Sequence, residues 1–203
     1  MIKNKRIFLS IFFGILFLIV MLLVIFDKMS GFDQMIYNAI ISCRNQFFDS
    51  YFTTVTKLAN TSIIVFVVIL FIIIVRNRHA LFLFVSSIDC LLLTIIFKHL
   101  IGRSRPTGLK LIQQGGYSFP SGHTMFSVCV YGYFFYLAIT KIKNKTLRYG
   151  VSILLLLVIL SIGVSRIYVG VHFASDVLAG YLLSVCYLLL LIEVEEKSYL
   201  KRG

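Results

Sequence analysis

The sequence predicts an all-α membrane protein built as a bundle of six transmembrane helices. Of its 203 residues, 59% are hydrophobic and only 14% are charged, a balance that is rare in water-soluble domains. Six apolar runs either approach the ~20 residues that a helix needs to cross a bilayer or reach that length through uncharged neighbours. They are residues 7–26, 60–75, 80–97, 122–140, 148–164 and 175–192. None alternates for long enough to form a membrane barrel, so we expect one helical domain over residues 1–203.

The first run carries the signals that set the predicted topology. It follows Lys3, Lys5 and Arg6 but ends at Phe26 without a small-residue cleavage site, so we interpret it as a retained helix. With an inside amino terminus, six spans place 12 of the 20 lysine and arginine residues on the cytoplasmic side and 8 on the other. The positive-inside rule then predicts two cytoplasmic termini. The net charge of +12 therefore indicates topology rather than nucleic-acid binding.

The segment 32–58 is neither a polar loop nor a full span. Its apolar residues recur at helical spacing against polar ones such as Asp33, Asn38 and Asp49. This pattern predicts one or two short amphipathic helices on the extracytoplasmic membrane surface. They would pack over the bundle or form a lateral gate for a lipid.

Three other stretches depart from the apolar pattern. Asp89 lies within the third run, and an intramembrane carboxylate is expected to face the protein interior and to find a donor or hold a proton. Residues 99–119 are the longest non-apolar stretch between runs and predict an ordered binding loop. The tail, residues 193–203, is expected to be a solvated helix end.

Residues 165–176 set a guanidinium, an imidazole and a carboxylate at the edge of an apolar run. If a helix begins at about His172, then His172 and Asp176 lie four residues apart on one face and can form a hydrogen bond. A carboxylate that binds one ring N–H fixes the histidine tautomer and leaves the other nitrogen as a base or nucleophile. Arg166 would offer a positive fork to an anion. The segment alone fits equally well with an Asp–His pair that stabilises a helix end beside an interfacial arginine.

A second polar stretch, Pro120-Ser121-Gly122-His123, opens the fourth run. Proline at a helix start, followed by serine and glycine, exposes first-turn N–H groups at the positive end of the helix dipole, which is an anion-binding arrangement. On these four residues alone, a capped helix start with an interfacial histidine is the simpler interpretation.

The predicted topology brings three polar stretches to one membrane face. They are residues 98–106, 120–123 and 165–176. Together they supply the cations Lys98, Arg105 and Arg166, helix N–H groups, and two histidines of which only one has a carboxylate at helical spacing. Without a second carboxylate or a thiolate, this donor set disfavours a divalent metal ion. It favours a phosphate group.

The same residues resemble a family signature in three parts. The parts are Lys98-(six residues)-Arg105-Pro106, Pro120-Ser121-Gly122-His123 and Ser165-Arg166-(five residues)-His172-(three residues)-Asp176. All three are complete, in order and spaced as in the type 2 phosphatidic acid phosphatase family, whose membrane branch also has six spans. The resemblance covers nearly the whole chain and implies a lipid phosphatase.

The resemblance also implies a role for each residue. The histidine matching His172 attacks phosphorus to form a phosphohistidine, and the aspartate matching Asp176 orients it. The histidine matching His123 protonates the leaving oxygen and then activates water. The phosphate oxygens are held by the residues matching Lys98, Arg105, Ser121, Gly122 and Arg166. The scheme needs no metal ion and no other cofactor.

In size and membrane pattern the chain resembles the family's bacterial lipid phosphatases. We expect it to hydrolyse undecaprenyl diphosphate at the outer face of a bacterial cell membrane, with phosphatidylglycerol phosphate and phosphatidic acid as alternative substrates. Membrane lipids are the expected partners, with neither nucleic acid nor an obligate protein partner. A different class, an anion or lipid transporter, would use the cations for binding alone. It would need neither an oriented His172 nor a second histidine such as His123.

Overall fold

The computed structural model describes residues 2–200, with the side chains of residues 5–198. Lys201 and Arg202, which were assigned to the cytoplasmic side, lie outside the described residues. Every regular element within residues 2–200 is helical, so the all-α prediction is confirmed. The elements are α1 (Ile2–Ile25), α2 (Ser30–Ile41), α3 (Gln46–Val55), a 3-10 turn (Thr56–Ala59), α4 (Thr61–Val75), α5 (Arg78–Ile101), α6 (Gly122–Phe126), a π-helical segment (Ser127–Gly132), α7 (Tyr133–Lys141), α8 (Lys145–Tyr168) and α9 (Ala174–Leu200).

The helices are long and apolar enough for a multi-pass membrane protein. Five stretches qualify singly as spans: Lys5–Ile25, Arg78–Ile101, Gly122–Lys141, Lys145–Tyr168 and Ala174–Ser198. The predicted second span coincides with α4, whose 15 residues are too short to cross alone. It qualifies only together with Gln46–Ala59, from which it is bent by 51°. By length and composition, the described residues therefore offer five candidate spans, or six if this bent pair is one span.

The predicted amphipathic segment forms α2, α3 and the 3-10 turn. Helix α3 lies against α8, where the Phe52 and Tyr168 rings are 4.6 Å apart and the Tyr51 hydroxyl donates to Ser161 at 3.0 Å. The prediction that Asp33 lies on a polar outer face is wrong, since its side chain is buried at 4% exposure. Its donors come from residues distant in the sequence, which helical periodicity does not reveal.

Helix α9 runs through the bundle and packs along α1. The Ser10 hydroxyl donates to the backbone carbonyl of Cys186 at 2.9 Å, and a Cβ at Gly14 would lie 3.3 Å from the Cys186 sulfur. Small residues of this kind let two membrane helices approach closely. On another face of α9, the Tyr187 hydroxyl donates to Asp89 at 2.7 Å, which confirms that this intramembrane carboxylate finds a donor inside the protein.

Two acidic residues near the end of α9, Glu193 and Glu195, are buried, contrary to the predicted solvated tail, whose side chains from residue 199 onward lie outside the described ones. Glu195 is fully buried and accepts hydrogen bonds from Tyr133 at 2.9 Å and His79 at 2.5 Å. Arg6 of α1 binds the neighbouring Glu196. The alternating charges from residue 193 onward resemble a solvated face, but partners on α1, α5 and α7 enclose them.

A matched pair of glycines on α8 tests the packing of α8 against α9. A Cβ at Gly163 would collide with the Tyr181 ring and hydroxyl, whereas nothing lies within 4 Å of a Cβ at Gly150. The Tyr181 hydroxyl is held by the carbonyl of Ile159 at 2.9 Å, so it cannot yield without losing that bond. We expect Gly163→Ala to destabilise the protein by ~1–3 kcal/mol and Gly150→Ala to leave stability unchanged or raise it. Thermal unfolding in detergent measures both; equal midpoints for the two variants would contradict this packing.

Candidate active site

His172 lies in the turn between α8 and α9, close to Asp176. The helix that was expected from about His172 begins at Ala174, two residues later. An oxygen of Asp176 accepts the backbone N–H of Phe173 at 2.9 Å and so caps the new helix. The turn nevertheless brings Nδ1 of His172 to 3.4 Å from Oδ2 of Asp176. The expected pair therefore exists, at a helix start rather than on a helix face.

Two contacts specify the same tautomer of His172. A terminal nitrogen of Arg105 lies 3.1 Å from Nε2 of His172. A guanidinium can only donate, so Nε2 must carry the lone pair and the ring proton must be on Nδ1. That proton faces the carboxylate of Asp176 and the hydroxyl oxygen of Ser118, each 3.4 Å from Nδ1. The neutral ring thus presents Nε2 as its nucleophilic atom.

The environment of His172 keeps this ring neutral. The residue is 3% exposed, and burial lowers the pKa of His172 from 6.5 to about 4, although Asp176 acts in the opposite direction. At neutral pH the imidazole is therefore unprotonated and its lone pair is available.

The Asp176 carboxylate is fixed by residues that were not predicted as site residues. Arg103 donates to it at 2.6 Å and to Asp33 at 2.7 Å, which links α2 to α9. The Ser118 hydroxyl also donates to Asp176, and the backbone N–H and hydroxyl of Ser175 both bind Asp33. Both carboxylates are buried and satisfied, so the unit holds its geometry. Arg103 lies in the predicted binding loop, residues 99–119, but had no predicted role at the site.

The Arg166 guanidinium is fully buried beside this unit. It donates to the Thr56 hydroxyl at 2.6 Å and to the side-chain carbonyl of Gln114 at 2.7 Å. Among the described residues, nothing accepts a hydrogen bond from its Nε. A buried guanidinium with a donor left over is suited to hold an anion.

Lys98 and Arg105 converge on one backbone oxygen. The ammonium of Lys98 donates to the carbonyl of Tyr117 at 2.7 Å, and Arg105 donates to the same carbonyl at 3.1 Å. Arg105 also donates to the carbonyl of Val171 at 2.8 Å, next to His172. Two predicted phosphate ligands, from the end of α5 and from its following loop, are therefore neighbours beside His172.

The start of α6 is hydrogen-bonded to the backbone of Asp176. The N–H of Ser121 donates to the backbone carbonyl of Asp176 at 3.1 Å, and the Ser121 hydroxyl accepts from Thr124 at 3.0 Å. A Cβ at Gly122 would lie 3.0 Å from a methyl of Thr94, so this position favours glycine. His123 follows, with its Nε2 2.9 Å from Oδ1 of Asn60.

All eight predicted site residues thus lie in one region. Arg166, His172, Lys98 and Arg105 all act electrostatically on His123. Sequence reasoning missed the residues that hold them in place: Asp33, Thr56, Asn60, Arg103, Gln114, Ser118 and Ser175. A signal existed for Arg103, since it lies two residues from Arg105 in the polar loop. Within the described side chains, no three His, Cys, Asp or Glu residues are grouped to hold a metal ion.

A cavity of about 530 Å³ adjoins His172. Its wall includes His172, Arg105 and Arg103 together with Asp33 and Tyr37 of α2. His123, Lys98 and Arg166 do not line it. Arg105 therefore lines the cavity on the α2 side and also belongs to the cluster of cations and histidines.

Comparison with known proteins identifies the family. The PAP2 superfamily profile matches residues 79–199, more than half of the chain. Phosphatidylglycerophosphatase B of Bacillus subtilis (strain 168) is 29% identical over 179 residues, which are 81% of this chain and 84% of that protein. Lipid phosphate phosphatase delta of Arabidopsis thaliana is 33% identical over 84 residues, 40% of this chain but only 20% of that protein.

Two solved structures share the fold. The transmembrane PAP2-type phosphatidylglycerolphosphate phosphatase from Bacillus subtilis superposes with a TM-score of 0.84 at 25% identity, over 93% of this chain and 96% of that one. Aquifex aeolicus LpxE superposes with a TM-score of 0.63 at 24% identity, over 80% and 94%. The chain belongs to the PAP2 superfamily, as a membrane-embedded lipid phosphatase.

Proposed function

We propose that this protein removes the terminal phosphate of a membrane lipid through a phosphohistidine intermediate on His172. The observation that carries the proposal is the double constraint on the ring, with Arg105 on Nε2 and Asp176 on Nδ1. A structural histidine needs no lone pair facing a cluster of cations. A nucleophile for a phosphate requires that arrangement.

In the first step, Nε2 of His172 attacks phosphorus while the bond from phosphorus to the leaving oxygen breaks. Asp176 stabilises the positive charge that develops on the ring, and His123 delivers a proton to the leaving oxygen. Lys98, Arg105, Arg166, Ser121 and the Gly122 N–H hold the other phosphate oxygens. Such preorganised donors account for most of the catalysis in phosphoryl transfer.

In the second step, water attacks the phosphohistidine. His123, left without its proton, accepts one from that water, and the bond between phosphorus and Nε2 breaks. The products are inorganic phosphate and the dephosphorylated lipid, and both histidines regain their starting protonation. No step draws on a metal ion.

The proposal includes an orientation in the membrane. The basic residues of the predicted cytoplasmic side support two cytoplasmic termini, which puts His172 on the extracytoplasmic face of a bacterial cell membrane. A lipid head group could then reach the site while its tail stays in the bilayer. We treat residues 1–203 as a single phosphatase domain, whose partners are its substrate and the surrounding lipids.

Two substrates follow from different observations. The extracytoplasmic site favours undecaprenyl diphosphate, a carrier lipid recycled in the outer leaflet. The names of two Bacillus relatives favour phosphatidylglycerophosphate. Both lipids end in a phosphate that the same cations can bind, so only their turnover ranks them.

The direct test is phosphate release from each lipid by the purified protein in excess chelator. We expect release from at least one of them, and a fall of ~10⁴-fold or more in His172→Ala because the nucleophile is gone. His99→Ala, which replaces an exposed histidine at the end of α5, is the matched control and should retain activity. Substantial turnover by folded His172→Ala would refute the phosphohistidine.

The pH dependence of stability tests the buried neutral ring. An unfolded histidine titrates near 6.5 and the folded His172 near 4, so its contribution is complete above pH 6.5 and is lost as the pH falls towards 4. Between pH 6.5 and 5 the wild type should lose ~2 kcal/mol that His172→Gln does not lose. Thermal unfolding at the two pH values measures the difference, with His99→Gln as the control. An identical acid loss in the wild type and His172→Gln would contradict a neutral buried ring.

Arg103→Lys tests the support of Asp176. Lysine cannot span two carboxylates with a planar fork, so Asp176 and then His172 should lose their orientation. We expect kcat to fall by ~10-fold to 100-fold with KM nearly unchanged, because Arg103 acts through Asp176. Arg44→Lys is the control, since Arg44 pairs with Asp49 at 3.2 Å near the surface. Equal kinetics for the two variants would contradict the role of Arg103.

A further inference from the structure

Four of the described helices have asparagine at the N-cap position, and one of these side chains behaves differently. Asn45, Asn77 and Asn144 each accept a backbone N–H of their own helix, at 3.0, 2.8 and 3.0 Å. Asn60 is the N-cap of α4 and makes no side-chain cap bond. An uncapped asparagine forgoes the stabilisation that this residue ordinarily gives at a helix start.

The Asn60 side chain instead contacts the second histidine of the site. Its Oδ1 lies 2.9 Å from Nε2 of His123. Its backbone still behaves as a cap, with an extended conformation and a carbonyl that accepts from the N–H of Ile64 at 3.0 Å. The local helix start is therefore preserved while its side chain serves another segment, 63 residues away.

We propose that Asn60 is a positioning residue for His123, an inference that rests on the proposed function. An amide oxygen only accepts, so Nε2 of His123 carries a proton in this pair. The ring must therefore enter the reaction doubly protonated, and Nδ1 is the atom that gives its proton to the leaving oxygen and later takes one from water. The hydrogen bond from Nε2 persists in both states, and the ring need not turn between the two steps.

The same turn also fixes the position of Arg166. Thr56 begins the 3-10 turn and accepts a hydrogen bond from Arg166 at 2.6 Å, while Asn60 follows the end of the turn and contacts His123. The segment that breaks the chain between α3 and α4 thus contacts both the acid–base histidine and a buried cation of the site.

The neutrality of asparagine suits a group that must both give and take a proton. The charged and titratable groups that act on His123 are Arg166 from α8, Lys98 from α5, and Arg105 and His172 from the loops. The lysine and the two arginines among them receive the phosphate. A carboxylate at position 60 would favour the protonated ring and slow the step in which His123 accepts a proton from water. An amide orients the ring without that bias.

Paired alanine variants test whether Asn60 acts through the reaction or only as a cap. Asn60→Ala should lower kcat by ~10-fold to 100-fold, with KM changed less than about threefold and the unfolding temperature little changed. Asn144→Ala should do the opposite, because it removes a cap from α8 and leaves the site intact. If Asn60→Ala lowers the unfolding temperature as Asn144→Ala does and leaves kcat unchanged, Asn60 is a cap and the proposal fails.

Two further variants make the test specific to His123. Asn60→Asp keeps the acceptor and adds a negative charge, so it should retain more activity than Asn60→Ala. The limb of its pH–rate profile that reports His123 should move up by about one pH unit or more. In a His123→Ala background, Asn60→Ala should cause no further loss, whereas additive losses would overturn the proposal. His172→Ala separates the two hypotheses: if it stays active the phosphohistidine fails, and if it is inactive the Asn60 results stand on their own.

Discussion

The buried carboxylate of Asp176 joins segments that are far apart in the sequence. Its oxygens accept hydrogen bonds from Arg103, Ser118 and the N–H of Phe173, and its backbone carbonyl accepts from the N–H of Ser121. A buried carboxylate without such donors is very costly. The loop after α5 and the start of α6 therefore settle where their donors reach this residue. The orientation of His172 follows from the same constraint, because its Nδ1–H faces the oxygen that Ser118 and Phe173 hold.

Features governed by local periodicity could be predicted from the sequence, and those that depend on distant partners could not. Apolar runs predict helices because a bilayer leaves the backbone no other partners. The pair of His172 and Asp176 could be predicted, because a spacing of four residues brings two side chains together at the start of a helix as it does within one. The burial of Asp33 could not be predicted, because nothing in the local pattern distinguishes it from Asn38, which is exposed. The partner of Asp33, Arg103, lies 70 residues away in the sequence.

The polar side chains near the two ends of α9 differ in how their hydrogen-bonding groups are paired. Glu195 lies 19 residues after Asp176, about 28 Å along the helix. There, the donors to the carboxylate, Tyr133 and His79, both come from the protein itself. At the Asp176 end, the Nε of Arg166 finds no acceptor among the described residues. A guanidinium with a donor left over suits a phosphate, whereas a carboxylate whose donors the protein supplies suits a structural role.

Arg105 connects the resting arrangement of the site to its use. It donates to the lone pair of Nε2 in His172, which fixes the tautomer but also covers the atom that must attack phosphorus. A phosphate oxygen is charged and a neutral ring nitrogen is not, and a guanidinium can bind phosphate through two parallel hydrogen bonds, so Arg105 binds phosphate more strongly than it binds the ring. In the proposed reaction, the arriving phosphate therefore replaces the ring as the partner of Arg105. The phosphate thereby leaves Nε2 of His172 free to attack phosphorus, and Asp176 keeps the ring proton of His172 on Nδ1 throughout.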